Sequence, residues 1–180
     1  ALAVRFDSAG NVLWARALDG GAYTQDAPRG IGLAPNGDLF VTHDGGANWS
    51  LLSTVLEGID RRNLVLSADF KHDQTMYASA QNWAWGELGG QPGVFKSTDG
   101  GVTWARSANG ISNINAWKVI VSPDPAAKDT LFALTNGGIE KSTDGGANWA
   151  AVPAPDANLR DLALSPAYGS DQTLFVAAHT

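Results

Sequence analysis

The chain has 180 residues, which is long enough for one well-buried domain. Its formal net charge of −6 argues against nucleic acid or an anionic membrane surface as the main partner. The chain contains no cysteine, which excludes disulfides and thiolate metal sites, and no apolar run reaches the ~20 residues needed to cross a bilayer. Abundant glycine and tryptophan, with β-branched and aromatic apolar runs, predict an all-β protein rich in turns.

The first part of the chain predicts two incomplete units. Residues 1–17 form one hairpin pattern, with strand-like runs on both sides of a turn at residues 7–11. Residues 29–53 follow as a short unit, in which the apolar run 39–41 leads almost directly into the next turn. One strand fewer is therefore expected in that unit than in the units after it.

The middle of the chain predicts two complete units, residues 63–106 and 117–152. Each begins with an apolar run that ends in serine, and a threonine follows eight positions later with an apolar pair directly after it. We interpret this pattern as a buried inner strand, a turn and a second strand, with a hairpin supplying strands three and four. Residues 159–178 repeat only the first half of the pattern, so two strands are expected there.

A nine-residue repeat supplies these hairpins, at residues 41–49, 96–104 and 141–149, with a degenerate copy at 6–14. Strand-like runs flank Asp-Gly-Gly, which predicts a tight turn because glycine adopts positive φ at little steric cost. The aspartate can accept hydrogen bonds from turn N–H groups and from a Ser or Thr hydroxyl two residues earlier. The closing tryptophan is a large apolar plate, and we expect it to pack on the neighbouring unit.

The pattern Ser/Thr-x-Asp-x-Gly-x-Thr/Asn-Trp resembles the Asp-box, or BNR repeat, of β-propellers. Sialidases, xyloglucan-cleaving glycoside hydrolases, sortilin-type receptors and the photosystem II stability factor family are similar in this respect. In those families the box joins the two outer strands of a blade, away from the ligand-binding face. The resemblance therefore implies a structural role for the repeat residues, which are Asp44, Trp49, Ser97, Asp99, Trp104, Ser142, Asp144 and Trp149.

The resemblance implies a β-propeller of four-stranded blades, with about four blades' worth of sequence in residues 1–180. Residues 1–17 would be the outer strands of one blade and 159–178 the inner strands of one, so their pairing could close a small ring without open edges. The resembled propellers have more than four blades, and the sequence starts at Ala1 without Met. We therefore favour part of a larger propeller, completed by a longer chain or another subunit.

One loop stands out as a candidate binding site. Where residues 134–138 read Leu-Thr-Asn-Gly-Gly, the preceding unit has a longer insertion with Trp83, Trp85 and Glu87. Loops held by a rigid scaffold often carry function, and aromatic rings beside hydrogen-bonding groups suit a sugar. The alternatives are contact with a protein partner, or packing of both tryptophans over the rim of their own unit.

A second candidate lies at the start of the inner strands, where alignment on the repeat serine makes Arg29, Arg62, Trp117 and Arg160 equivalent. Three guanidinium groups around a channel mouth could bind a carboxylate or phosphate. Sialidases use an arginine triad, but this sequence lacks their arginine-leading motif. The alternative is that Arg29 and Arg160 face solvent at strand starts, paired with Asp26 or Asp161.

The sequence shows no metal-ligand spacing, phosphate-binding glycine loop or nucleophile motif, so no cofactor is expected. Glu87, Asp161 and Asp60 are conceivable glycosidase carboxylates, but their spacing defines no catalytic pair. We favour a non-catalytic propeller, exported or at the cell surface, that binds a protein or glycan partner. The alternative is a fragment of a xyloglucanase-like or sialidase-like glycoside hydrolase.

Overall fold

The computed structural model describes residues 2–6, 12–17, 39–41, 48, 50–53, 60–81, 92–112, 114–124, 127–154 and 158–179. Two antiparallel sheets in this part of the chain have four strands each, and three have two strands each. The prediction of an all-β fold with four-stranded blades and Asp-box hairpins is confirmed. The strands before the first complete blade are β1 (Leu2–Phe6), β2 (Val12–Ala17), β3 (Leu39–Val41) and β4 (Ser50–Ser53), which pair as β1–β2 and β3–β4.

The complete blades follow each other along the chain, and each is a meander in which every strand pairs with the next. The first blade consists of β5 (Asp60–Leu66), β6 (Met76–Gln81), β7 (Gly93–Ser97) and β8 (Ala105–Arg106). The second blade consists of β9 (Ala116–Val121), β10 (Leu131–Thr135), β11 (Gly138–Ser142) and β12 (Ala150–Val152). The last pair of strands is β13 (Leu159–Leu164) and β14 (Leu174–Ala178).

Single helical turns follow two of the inner strands, α1 (Phe70–Asp73) after β5 and α2 (Tyr168–Asp171) after β13. The serine and threonine that recur eight positions apart in the sequence lie at the two ends of these turns and bind the same aspartate. Ser67 Oγ donates to Asp73 Oδ2 at 2.7 Å, and the Thr75 N–H donates to Asp73 Oδ1 at 2.8 Å. Ser165, Asp171 and Thr173 make the same contacts in the last unit. In each of these units one aspartate carboxylate therefore joins the end of the inner strand to the start of the second strand.

The described core lies between sheets that pack face to face. Tyr77 and Val94 of the first blade meet Val119, Leu131 and Trp149 of the second in one buried cluster. A second cluster joins the second blade to β13 and α2, and contains Phe132, Leu134, Ile139, Leu159, Leu162 and Tyr168. Each blade therefore buries apolar area against the next one, which is the main stabilising term of the fold.

Polar side chains also join the two complete blades. Asn63 Oδ1 accepts from the Val119 N–H at 2.9 Å, and Asn63 Nδ2 donates to the Val119 carbonyl at 2.6 Å. Further out, Ser112 Oγ donates at 2.7 Å to Oε1 of Glu140, which is 1% exposed. These contacts fix the position of one blade on the next, because their geometry tolerates little sliding.

Candidate functional site

Three inner strands carry a β-bulge at the same place, close to their first residue. Arg61 pairs with Ala80 and Asn63 with Ser79, so Arg62 is the extra residue of β5. Trp117 is the extra residue of β9, and Arg160 is the extra residue of β13. A bulge leaves one residue unpaired and changes the direction of its side chain, and bulges are common beside binding sites. The bulged positions are the equivalent positions that the sequence alignment predicted; Arg29 lies outside the described residues.

These bulges lie at the end of the blades opposite the Asp-box hairpins. In the second blade, Thr135 pairs with both Ala116 and Gly138, so the start of β9 and the β10–β11 turn share one end. Leu131 pairs with Val121 and Ser142 at the other end, where the Asp-box hairpin begins. We call the end that carries the bulges the bulge face.

Trp117 is fixed in place on the bulge face. Its indole Nε1–H donates to Asn136 Oδ1 at 2.7 Å, and Asn136 lies in the turn between β10 and β11. One part of the ring packs against the cluster shared with β13, and the side chain as a whole is half-buried. An indole held at its polar edge, with apolar surface still open, can offer a flat platform to a ligand without ordering itself first.

Charged residues lie next to Trp117 on its own strand and at the start of the neighbouring inner strand. Lys118 Nζ forms an ion pair with Asp161 Oδ1 between β9 and β13, and the same oxygen accepts from the Leu162 N–H at 2.8 Å. Asp161 therefore pairs with Lys118 and not with Arg160, which corrects the pairing that the sequence left open. Arg160 is exposed, and no ion pair to it is found among residues 60–81, 92–112, 114–124, 127–154 and 158–179.

The Asp-box residues form closed hairpins in which the carboxylate oxygens already accept hydrogen bonds from the turn. Ser97 Oγ donates to Asp99 Oδ1 at 2.7 Å, and the Thr103 N–H donates to the same oxygen at 2.9 Å. Thr103 Oγ1 donates to Asp99 Oδ2 at 2.5 Å. These bonds, led by that of the Thr103 hydroxyl, lower the pKa of Asp99 to about 2.

The second Asp-box repeats this arrangement. Asp144 accepts hydrogen bonds from the Asn148 N–H at 2.9 Å, from Asn148 Nδ2 at 2.8 Å and from Ser142 Oγ at 2.8 Å. The backbone bond from Asn148 is the largest cause of a pKa of about 2 for Asp144. Each carboxylate therefore stabilises the turn of its own hairpin.

The tryptophans that close the two boxes pack differently. Trp149 is 5% exposed and lies in the cluster between the two complete blades, as expected for a plate that packs on a neighbouring unit. Trp104 is half-buried against the cluster of its own blade, together with Leu52 of β4. Its Nε1–H donates to the Gly101 carbonyl at 2.9 Å.

The structure reaches only some of the predicted site residues. Trp83, Trp85 and Glu87 of the insertion lie outside the described residues, as do Asp44 and Trp49 of the first Asp-box. Arg62 is placed by its backbone alone. Trp117 and Arg160 are brought to the same face, on adjacent inner strands.

Sequence reasoning missed two features of the bulge face. Asn136 was part of a turn pattern, and its bond to Trp117 depends on how the turn folds back over β9. The Lys118–Asp161 pair had no local signal, because its partners lie 43 positions apart. The Trp117–Asn136 bond could have been indicated by an Asn-Gly turn that follows a strand paired with one beginning near an aromatic residue.

Two further observations concern metal binding and membrane spans. No group of three or more histidine or acidic side chains that could hold a metal ion is found among the residues that the structure describes. No helix in the same residues is long and apolar enough to cross a membrane.

Comparison with known proteins supports the architecture. Residues 40–51 match the family model of the BNR/Asp-box repeat. A search of curated proteins by sequence gives no match. By structure, the chain is similar to the GH74 xyloglucanase from Xanthomonas campestris, with a TM-score of 0.60 and 20% identity over 97% of this chain and 26% of that one. It is also similar to an ancestral GH74 enzyme, with a TM-score of 0.50 and 24% identity over 73% of this chain and 19% of that one.

The chain thus spans about a quarter or less of the length of these solved structures. At these identities the similarity establishes the fold, and the BNR/Asp-box match identifies the repeat. The chain has the fold of an Asp-box β-propeller.

Proposed function

We propose that this chain contributes a carbohydrate-binding surface to a β-propeller, and that the bulge face is that surface. The observation that carries the proposal is the half-buried indole of Trp117, which Asn136 holds at its nitrogen edge. Arg160 lies on the adjacent inner strand at the equivalent bulge, and Arg62 occupies the bulge of the preceding blade.

A sugar ring suits these groups better than a bare anion does. Its C–H face is apolar and stacks on an indole, while its hydroxyl rim accepts hydrogen bonds from guanidinium and amide groups. At the aligned positions Trp117 stands where the other units have arginine. An apolar ring therefore lies between the arginines of the neighbouring units. A carboxylate or phosphate would gain little from that plate.

The known structures support the same class of ligand. One of the similar proteins is a GH74 xyloglucanase, which acts on xyloglucan. We therefore propose xyloglucan-type oligosaccharides as the ligand class. Because such polysaccharides lie outside cells, we also propose that the protein acts outside the cytoplasm.

Calorimetric titration of the 180-residue chain with xyloglucan oligosaccharides tests the proposal. We expect saturable binding that Trp117→Ala weakens by about tenfold or more, which is ~1.4 kcal/mol. Trp117→Phe should retain part of the affinity, because a ring remains but its bond to Asn136 is lost. Phe175→Ala is the matched control, since Phe175 is an aromatic residue with 62% exposure on β14, away from the bulges. Equal affinity of Trp117→Ala and the unmodified chain would contradict the proposal.

Glycoside hydrolysis is the second candidate function, and the similarity to GH74 enzymes favours it. At the bulge face the described carboxylate of Asp161 forms an ion pair with Lys118 and accepts from the Leu162 N–H, so one of its oxygens is already engaged within the fold. We therefore expect the chain to bind xyloglucan without releasing reducing ends. Turnover that is abolished by Glu87→Gln or Asp161→Asn, with unchanged thermal stability, would replace the binding function by a catalytic one.

A further inference from the structure

The hairpin tip that holds Trp117 on the bulge face is an Asn-Gly dipeptide. Thr135 ends β10 and pairs with Gly138, the first residue of β11, so Asn136 and Gly137 alone form the tip. Asn-Gly is common in tight hairpin turns, and asparagine is also one of the chemically labile residues of proteins. The lability is greatest before glycine, because no side chain shields the backbone nitrogen that follows the asparagine. The tip therefore combines a group that the bulge face uses with a reactive sequence.

The reaction of an Asn-Gly dipeptide needs only the chain and water. The backbone nitrogen of Gly137 attacks the side-chain Cγ of Asn136 and closes a five-membered succinimide. The Cγ–Nδ2 bond breaks, and ammonia leaves with the proton that the attacking nitrogen has lost. Water then opens the ring at either carbonyl. Opening at the side-chain carbonyl gives aspartate, and opening at the backbone carbonyl gives isoaspartate, whose main chain runs through the former side chain.

The fold leaves room for this tip to open. In the described part of the chain, the Gly137 N–H donates to Thr135 Oγ1 at 3.0 Å, which is a contact within the tip. The Asn136 N–H donates to the Asn115 carbonyl at 3.2 Å, which anchors the start of the tip but not the reacting peptide. Both tip residues are exposed, and a Cβ at Gly138 would meet no atom within 4 Å. Exposed turn tips open at a small free-energy cost, so the Gly137 nitrogen can turn toward the Asn136 Cγ.

A second Asn-Gly dipeptide of the described chain is held much more firmly. Asn109 and Gly110 lie between the two complete blades, where the Asn109 carbonyl accepts from the Trp149 N–H at 2.9 Å. A Cβ at Gly110 would lie 2.2 Å from the Trp149 carbonyl oxygen, so this peptide unit is packed directly against the next blade. Its rotation would require the blades to separate, which costs far more than the opening of a turn tip. The remaining Asn-Gly dipeptide, Asn36–Gly37, lies outside the described residues.

We propose that Asn136 is a modification site, at which spontaneous deamidation releases the indole of Trp117. Asn136 Oδ1 accepts from the Trp117 Nε1–H at 2.7 Å. Isoaspartate lengthens the main chain of the turn and leaves its carboxylate directly on Cα, so the bond to the indole loses its geometry. The ordinary aspartate keeps an acceptor oxygen in the same place and keeps the bond. The loss of sugar binding that follows from release rests on the function proposed above, whereas the modification itself does not.

Timed incubation of the 180-residue chain at neutral and mildly alkaline pH, followed by peptide mass mapping, tests this assignment. We expect Asn136 to be converted about tenfold or more faster than Asn109, because only the turn tip opens readily. Conversion should be faster at alkaline pH, since the attacking nitrogen must lose its proton. An isoaspartate-specific methyltransferase distinguishes the two products, which have the same mass.

Gly137→Ala is the matched control for the reaction. Gly137 is not among the glycines with positive φ, so alanine fits the turn, while its Cβ hinders ring closure at Asn136. This variant should be converted more slowly than the unmodified chain. Equal rates at Asn136 and Asn109, or an Asn136 that keeps its amide throughout, would overturn the modification site.

The indole N–H resonance of Trp117 reports the release directly. It is assigned by its absence from the spectrum of Trp117→Phe. We expect it to shift in the isolated isoaspartate form and to stay unchanged in Gly137→Ala after the same incubation. An isoaspartate form with an unchanged resonance would overturn the release of Trp117. Neither readout involves a sugar, so together they decide the proposal whether or not the bulge face binds xyloglucan oligosaccharides.

Discussion

Asp99 and Asp144 each accept hydrogen bonds from a serine two residues earlier and from the residue four positions later. The same residue types in a cleft could serve catalysis or metal binding. Here the donors of the turn engage the carboxylate oxygens, and both pKa values lie at about 2. A carboxylate with so low a pKa is a poor proton donor or acceptor near neutral pH.

These pKa values predict a loss of stability in acid. The folded-state pKa of each carboxyl, about 2, lies below the ordinary 3.8, so folding favours the ionised form. The stabilisation is fully present above about pH 4 and is lost as the pH falls toward about 2. The denaturant midpoint of the unmodified chain should therefore fall across this window, and that of the Asp99→Asn, Asp144→Asn double variant should fall less.

The control for this prediction is Thr143→Val, which changes an exposed residue of the same hairpin without removing a donor to Asp144. Its acid dependence should match that of the unmodified chain. If the double variant and the unmodified chain lose stability in parallel between pH 4 and pH 2, other carboxyl groups cause the acid transition.

At the scale of strands and turns, the positions of polar residues follow from the hydrogen bonds that they form. Ser67 and Thr75 lie eight positions apart because both contact Asp73, which closes the turn around α1. Asn63 acts between elements: it forms a backbone-like pair of hydrogen bonds with Val119 and also accepts from Ser79 Oγ at 2.6 Å. An asparagine thus replaces main-chain pairing where the inner strands of two blades meet.

Asn63→Ala should lower the free energy of unfolding by about 2–4 kcal/mol, because it leaves the polar groups of buried Val119 and Ser79 without their partner. Urea denaturation followed by tryptophan fluorescence measures this change. Asn109→Ala is the control, since Asn109 donates to Asn148 at an exposed position and its loss should cost less than about 1 kcal/mol. Equal losses in the two variants would show that Asn63 does not join the blades.

Some features of the bulge face could be predicted from the sequence, and others could not. Alignment on the repeat serine made Arg62, Trp117 and Arg160 equivalent, and the bulges follow that equivalence. The bond from Trp117 to Asn136 depends on a turn folding over a strand, and the Lys118–Asp161 pair depends on how adjacent blades pack. Such contacts are fixed by tertiary geometry, so residue type and spacing alone could not specify them.

Across the described units from residue 60 onward, the second strand carries an aromatic residue whose burial differs from unit to unit. Tyr77 and Phe132 are 2% and 3% exposed. The next unit covers both rings: Tyr77 donates to the Gly145 carbonyl at 3.1 Å, and Phe132 meets the Tyr168 ring edge-on at 5.6 Å between centroids. Phe175 stands at the equivalent position of β14 and is 62% exposed in the described structure.

Phe132→Ala should therefore cost about 3–5 kcal/mol of unfolding free energy, whereas Phe175→Ala should change it by less than about 0.5 kcal/mol. Chemical denaturation at two protein concentrations measures both values. A large loss in Phe175→Ala that grows with protein concentration would show that a second copy covers this face in solution. The comparison thus reports whether the last unit is packed like the others.

The sequence by itself determined the repeat, the strand order within a blade and the structural role of the Asp-boxes. These depend on contacts between residues close in the chain, such as Ser97 with Asp99, which recur wherever the pattern recurs. Only the tertiary structure decided which residues meet between blades: Asn63 with Val119, Lys118 with Asp161, and Lys96 with Gly145. The physical reason is that these contacts depend on the angle and offset at which sheets stack, and many distant residues set that angle together.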